Sequence, residues 1–302
     1  MNGKINIEDL KNLMRGKISL NEPMTKHTTL KIGGPADLFV VPADKEDVIA
    51  LVGYLTKNEL PFFILGRGSN ILVGDKGIRE VVIAIKDTLD YVEYENDLIR
   101  VGAGYNWPRF VLDVINKGYG GIESTAGIPG TVGGAIIMNA GAYGTEVFEF
   151  ITEVQLIRSG KFETLTPDQI EFGYRHTNLR GDLILEATLK LPHVSDSNSI
   201  LTRRKELLTK RNLAQPLNKP NAGSIFKNPP GKFAGVLIEA AGLKGTRIGD
   251  ALVSEKHANF LVNCGSATAH DMMQLIDKVR QCVKEHAGVD LELEVIKTGE
   301  GF

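Results

Sequence analysis

The glycine density of residues 118–144 limits what this chain can fold into more than any other feature. The run Gly127-Ile128-Pro129-Gly130-Thr131-Val132-Gly133-Gly134 continues there to Asn139-Ala140-Gly141-Ala142-Tyr143-Gly144. Such a segment offers too few side chains to build a core, yet it is too apolar for a solvated linker. It suits a backbone laid closely around a large flat cofactor, with amides turned toward a pyrophosphate. A loop crowded against a sheet satisfies the same pattern. A shorter run, Gly66-Arg67-Gly68-Ser69-Asn70, follows the apolar stretch 62–65 directly. Its two glycines allow positive φ and close approach to a ligand. Consecutive N–H groups in such a turn form an anion-binding nest, to which Ser69 and Asn70 add side-chain donors. A tight turn between strands reads the same way. Neither run is a Rossmann fingerprint, because no G-x-G-x-x-G lies between a strand and a helix with an acid about 20 residues on. There is no Walker A sequence either. A dinucleotide bound here is bound by a different fold.

At 302 residues the chain is expected to form two or three domains. Its 35 Lys and Arg against 37 Asp and Glu leave a net charge of −2. That balance supplies no electrostatic footprint for nucleic acid or anionic lipid, although Arg203-Arg204-Lys205 suits a small polyanion locally. Cys264 and Cys282 stand far apart, without C-x-x-C or Cys/His ligand spacing, so neither a disulfide scaffold nor a metal site is expected. The first thirty residues carry no signal-peptide pattern, and no apolar run approaches the roughly 20 residues that span a bilayer. The expectation is a cytoplasmic enzyme acting on small molecules, with no membrane, nucleic-acid or obligate protein partner.

Periodicity and caps predict helices over 7–14 with Asn6 as N-cap, over 45–58 with Asp44 as N-cap and Asp47 at N3, and over 107–117, 200–212, 233–241 and 269–286. Strands are expected at 36–41, 62–65, 81–85, 91–95, 98–101, 154–158, 162–165, 183–191, 247–253, 258–263 and 291–296. The polar stretch 192–199 reads as a linker. The class is α+β, with mixed sheets rather than a doubly wound one.

Five separated motifs now stand in order. They are the two glycine runs, Gly173-Tyr174-Arg175, the segment 221–229 (Asn-Ala-Gly-Ser-Ile-Phe-Lys-Asn-Pro) and Leu293-Glu294-Val295. Together they resemble the UDP-N-acetylenolpyruvoylglucosamine reductase (MurB) family over nearly the whole chain. The resemblance implies an FAD-binding fold of the vanillyl-alcohol oxidase (PCMH) type in two subdomains, 1–65 and 66–197. A C-terminal α/β substrate-binding domain would follow at 198–289, with a last strand in 290–302 returning to the first subdomain. It implies an FAD site built from Gly66, Arg67, Gly68, Ser69, Asn70, Ile71, Ser124, Ile128, Pro129, Gly130, Val132, Gly133, Gly134, Asn139, Ala140 and Gly141. Covalent members of the wider superfamily carry a flavin-linking His in the first glycine run. None stands in this one, so the FAD is expected to be non-covalent. The segment after Tyr174 is short and lacks the extra loop with a substrate-clamping Tyr, which likens the chain to the type II branch.

Read by themselves, the remaining motif residues are ordinary: Arg175 a surface arginine, Ser224 a turn serine, Glu294 an exposed strand carboxylate that shares its face with Glu292. The resemblance assigns them a reaction, the NADPH-dependent reduction of UDP-N-acetylglucosamine-enolpyruvate to UDP-N-acetylmuramate. Arg175 would stabilise the developing enolate at the substrate carboxylate, a role its planar fork suits. Ser224 would protonate the enol carbon, and Glu294 would orient Ser224 or stabilise the transition state. Tyr174, Lys227, Asn228 and His257 would contact the substrate. The competing readings are another FAD-linked oxidase on the same fold, which leaves the segment 221–229 unexplained, and a nucleotide-sugar binding module without chemistry, which would not need Arg175, Ser224 and Glu294 together.

Overall fold

Local capping decides where the helices begin. In the computed structural model, which describes residues 5–302, Asn6 accepts the N–H of Glu8 ahead of helix Ile7–Leu13. Asp44 likewise accepts the N–H of Asp47 ahead of helix Lys45–Lys57, and Asn106 that of Arg109 ahead of Trp107–Asn116. Thr268 and Asp271 form a reciprocal capping box at the start of Ala269–Ala287, which stops at Gly288 with φ 65. Contacts divide the chain into two units.

The first unit comprises residues up to Leu20, Leu38–Arg67 and Glu80–Thr209. A five-stranded antiparallel sheet runs in the order Lys161–Leu165, Ile151–Arg158, Leu183–Lys190, Leu98–Gly102, Val92–Glu95. The turns at Asn96 and at Ser159-Gly160 take positive φ. Phe62–Leu65 pairs in parallel with Ile78–Ala84, so the chain leaves a buried strand end straight into Gly66. The core of this unit gathers Trp107, Phe110, Val111, Val114 and Ile115 from one helix face against Ile99, Val101, Leu185 and Ala187 of the sheet.

The second unit comprises Asn21–Asp37, Gly68–Arg79 and Lys210–Phe302. Its long helix presents Met272, Leu275, Ile276, Val279 and Val283 at helical spacing to Ile225, Phe226, Ile238 and Leu261. A three-stranded antiparallel sheet, Arg247–Ile248, Ala251–Val253, Leu261–Asn263, completes the core.

Several expectations change. The expected strand 291–296 is an extended segment with one antiparallel bridge, Leu293 to Phe226, and the strand proper is Ile296–Thr298. That strand pairs in parallel with Ile71–Val73, not with a strand of residues 1–65. Ile71–Val73 is buried throughout, and buried backbone groups must find hydrogen-bond partners. Of the expected linker 192–199, residues 192–194 are docked and residues 197–199 open the helix Ser197–Ala214. Pro192 O accepts from Gly120 N, Val194 N donates to Gly118 O, and the His193 ring lies 4.3 Å from that of Tyr119. Polarity alone did not reveal that a backbone ladder consumes those residues. Val132–Ile137, expected as irregular backbone, is a short helix capped by Thr131.

Candidate functional site

In the first unit the two glycine runs meet. A Cβ on Gly66 would stand 2.7 Å from Thr131 Oγ1, so only glycine lets the strand end rest on that helix cap. Gly133 lies as closely on the sheet, where a Cβ would be 3.0 Å from Ala103 Cβ. Its N–H donates to Ala103 O, and that of Val132 to Tyr105 O. The N–H of Gly134 goes to Thr131 Oγ1, and those of Asn139 and Ala140 to Ile136 O and Ala135 O. The helix and its docking therefore use the amides of Val132, Gly133 and Gly134. Gly130, with φ 145, turns the chain into the helix, and its carbonyl accepts the N–H of Trp107. Ser124, in the turn Glu123–Gly127, is buried, and its Oγ has no hydrogen-bond partner within the chain. A buried hydroxyl without a partner is costly, and a cofactor polar atom would satisfy it. Ile128 and Pro129 stand at the surface side of this turn, and Arg67 reaches Asp87 at 3.9 Å.

Arg175 belongs to the same unit. It occupies the second turn position of a tight hairpin in which Phe172–Gly173 pairs with His176–Thr177. Its φ is 55, the left-handed region that glycine or asparagine usually fills at this place. The guanidinium donates to Gly141 O at 2.6 Å and lies 4.9 Å over the ring of exposed Tyr174. A non-glycine residue held in this region costs about 1–3 kcal/mol and persists where its surroundings over-determine it.

In the second unit, Gly68 has φ 61, and a Cβ there would overlap the carbonyl oxygen of His27. Thr29 N donates to Gly68 O, so the loop is tied back at that point. Ser69 is half-buried beside it. Asn70 donates its Nδ2 to Glu294 O at 3.1 Å, and Ile296 N donates to Asn70 O just before Ile71 enters its strand. Glu294 N in turn donates to Ile225 O at 2.8 Å, placing Glu294 against the residue that follows Ser224. The Ser224 segment opens with an Asx turn, Asn221 Oδ1 accepting from Gly223 N. Lys227 Nζ pairs with Glu292 at 3.5 Å, and Asn228 Oδ1 accepts the N–H of Ala234 at a helix start. Glu292 is thus an exposed carboxylate engaged by a lysine, and Glu294 is half-buried beside the serine segment. The strand pattern alone left those two acids unresolved. His257 is half-buried, and burial pushes its imidazole below the usual value, so it is neutral at pH 7.

Some supporting residues left no sign in the sequence. Asn259 brackets the serine segment: its Oδ1 accepts from Phe226 N, its Nδ2 donates to Phe226 O, and its own carbonyl accepts Ile225 N. No spacing rule points from residue 226 to residue 259. Glu146, joined to Asn139, was equally silent, as was Thr131 as the cap of Val132–Ile137.

Among the described residues no helix is long and apolar enough to cross a membrane, and no cluster of His, Cys, Asp or Glu could hold a metal. A model of the FAD binding domain matches residues 36–164. An α+β chain with that domain is an FAD-dependent oxidoreductase of the vanillyl-alcohol oxidase (PCMH) fold type. The C-terminal domain model of UDP-N-acetylenolpyruvoylglucosamine reductase matches residues 215–297. The chain is 44% identical to that reductase from Chloroherpeton thalassium, with 96% of each chain covered, and 46% identical to that from Desulforamulus reducens, with 97% of each covered. The crystal structure of the reductase (MurB) from Thermus caldophilus is similar at TM-score 0.80 and 36% identity, covering 94% of this chain and 99% of that one. The chain belongs to the UDP-N-acetylenolpyruvoylglucosamine reductase family.

Proposed function

We infer that this protein reduces the enolpyruvyl double bond of UDP-N-acetylglucosamine-enolpyruvate with NADPH, yielding UDP-N-acetylmuramate for peptidoglycan synthesis. The observation that carries this reading is likeness along the whole chain, at 44% identity over 299 residues, to relatives bearing the reductase's name. When bound, non-covalently in this reading, FAD supplies the two-electron relay between NADPH and the enolpyruvyl group. Gly66, Arg67, Gly68, Ser69, Asn70 and Ile71 would hold it with Ser124, Ile128, Pro129, Gly130, Val132, Gly133 and Gly134, and with the backbone of Asn139, Ala140 and Gly141. The rest of the chemistry falls to side chains. Arg175, held rigidly in its hairpin, stabilises negative charge at the substrate carboxylate while an enolate develops. Ser224 delivers the proton to the carbon next to that carboxylate, and Glu294 orients the hydroxyl. Tyr174, Lys227 and Asn228 serve as substrate contacts. His257, being neutral, serves as a hydrogen-bonding partner and not as a counter-ion for the diphosphate. The reading includes two flavin-holding parts, 1–65 and 66–197, a substrate-binding part at 198–289, and a cytoplasmic enzyme whose partners are small molecules.

The test is rapid-mixing absorbance of the flavin. NADPH should reduce it, and the enolpyruvyl substrate should reoxidise it. Ser224→Ala should leave reduction intact and slow reoxidation by roughly 10²–10⁴, the usual worth of a positioned general acid. Reoxidation of the variant at the wild-type rate would make the hydroxyl a turn residue only. Failure of the substrate to reoxidise the wild-type flavin would reject the reaction itself.

A further inference from the structure

Arg175 is held in a backbone conformation unfavourable for arginine, so something must force it there. Contacts of several kinds tie the hairpin that carries it to the rest of the first unit. Its guanidinium donates to Gly141 O at 2.6 Å, and Thr177 Oγ1 donates to Ile137 O at 2.8 Å. The Phe172 ring stacks on Phe148 at 4.4 Å between centroids. Lastly, Gly173 O accepts a hydrogen bond from Asn139 Nδ2 at 3.1 Å.

Asn139 is completely buried, 0% exposed, and its own φ is 38, where asparagine is among the few side chains tolerated. Its amide is used on both ends. Nδ2 gives one hydrogen to Gly173 O and the other to Glu146 Oε2 at 2.7 Å, and Oδ1 accepts from Phe148 N at 3.2 Å. The orientation of the amide is forced, because turning it over would set its oxygen against a carbonyl and a carboxylate and its NH₂ against an N–H. Glu146 is the last strand residue of a second tight hairpin, in which Gly141–Ala142 pairs with Thr145–Glu146. That same hairpin supplies, at Gly141, the carbonyl that holds the guanidinium. One amide therefore fixes the distance between the turn that displays Arg175 and the hairpin its guanidinium reaches. No hydroxyl or carboxylate at position 139 could donate twice and accept once in this geometry.

We propose that Asn139, oriented by Glu146, is a positioning residue for Arg175. It governs the reduction of the substrate without touching substrate, and its side chain plays no part in holding the flavin. The proposal rests on the reading of Arg175 as the residue that grips the substrate carboxylate.

Asn139→Asp replaces both donors with acceptors and sets a second carboxylate against Glu146. Glu146→Gln keeps an acceptor for Asn139 and should be nearly silent. Per bound flavin, Asn139→Asp should leave reduction by NADPH unchanged and slow reoxidation by the enolpyruvyl substrate about 10²-fold, the scale of a small misplacement remote from the chemistry. Adding Glu146→Gln should restore the melting temperature of the flavin-free chain, because an amide then faces the aspartate. It should not restore the rate, because Gly173 O still lacks its donor. In an Arg175→Ala background the Asn139 change should add nothing further to the loss. If it still slows reoxidation there, or if flavin reduction falls in parallel with reoxidation, Asn139 does not act through Arg175 and the proposal fails. Should Asn139→Asp not fold, Asn139→Ser is read in the same way. If Arg175→Ala alone reoxidises at the wild-type rate, the reading of Arg175 fails, and this outcome is separate from the others.

Discussion

Arg175 stands at φ 55 in a two-residue turn, so glycine and alanine at this position should differ in a way no ordinary surface site would show. Both substitutions remove the guanidinium, its bond to Gly141 O and its contact with the Tyr174 ring, so those losses cancel in the comparison. What remains is backbone. Alanine keeps the left-handed penalty of about 1–2 kcal/mol, which glycine escapes. Glycine forfeits roughly 0.5–1 kcal/mol through the greater freedom of its unfolded chain. The Arg175→Gly protein should therefore be the more stable of the two by about 0.5–1 kcal/mol, or roughly 1–4 °C in melting temperature for a unit of this size. Calorimetry of the two variants side by side reads that difference. In the flavin assay both should lose about 10²–10³ in substrate reduction, the usual loss when one oriented donor to developing negative charge is removed. An alanine variant that melts at or above the glycine variant would refute the strained geometry. Wild-type substrate reduction in the glycine variant would refute the role of the guanidinium.

Gly68→Ala should lower both flavin content and stability, by more than about 1 kcal/mol, because its Cβ overlaps His27 O at a positive φ; full flavin occupancy with an unchanged melting temperature would contradict it. Asp47 is almost fully buried, which raises its pKa. The N–H groups of Ala43, Arg15 and Gly16 and the charge of Arg15 outweigh burial and hold it below the usual carboxylate range. A depressed carboxylate stabilises the fold above the unfolded value near 3.9 and loses that contribution as pH falls through the folded value. Asp47→Asn should therefore cost about 1–3 kcal/mol at pH 7, with the gap to wild type closing as pH drops below about 4. A gap that persists in acid would show that the loss is steric. His257, lowered first of all by burial, should titrate below the ordinary value of about 6.5 when followed by ring-proton resonances. The stability from its neutral form is present above that value and fades as pH falls through the folded one, so a midpoint at or above 6.5 would reject its burial.

What could be read in the sequence was what neighbouring residues decide among themselves. Asn6 and Asp44 cap helices because a side-chain oxygen two or three residues away satisfies an N–H that the helix leaves open, and such a choice is written locally. Asn96 and Ser159-Gly160 turn hairpins for the same reason. The five motifs, taken in order, carried the family. The glycine runs marked where close packing would occur, but not what would be packed. Only the folded chain showed Gly66 resting on Thr131 and Gly133 on Ala103, with the amides of Val132 and Gly133 used for docking.

Other decisions belong to partners far apart along the chain. Asn70 meets the carbonyl of Glu294 across 224 residues. Glu292 is drawn off by Lys227, while Glu294 turns beside the Ser224 segment, a choice that alternation in a strand could not make. Ile296–Thr298 goes to Ile71–Val73 because a buried strand needs a hydrogen-bonding neighbour, and nothing in either stretch names the other. Asn139 is the same case in one residue. The family resemblance made it a cofactor contact, and its burial between two hairpins ties its amide to Glu146, Gly173 and Phe148. Local sequence determines which groups have hydrogen bonds to give. Tertiary structure decides who receives them, because burial removes water as the alternative partner and leaves only what the fold has brought within reach.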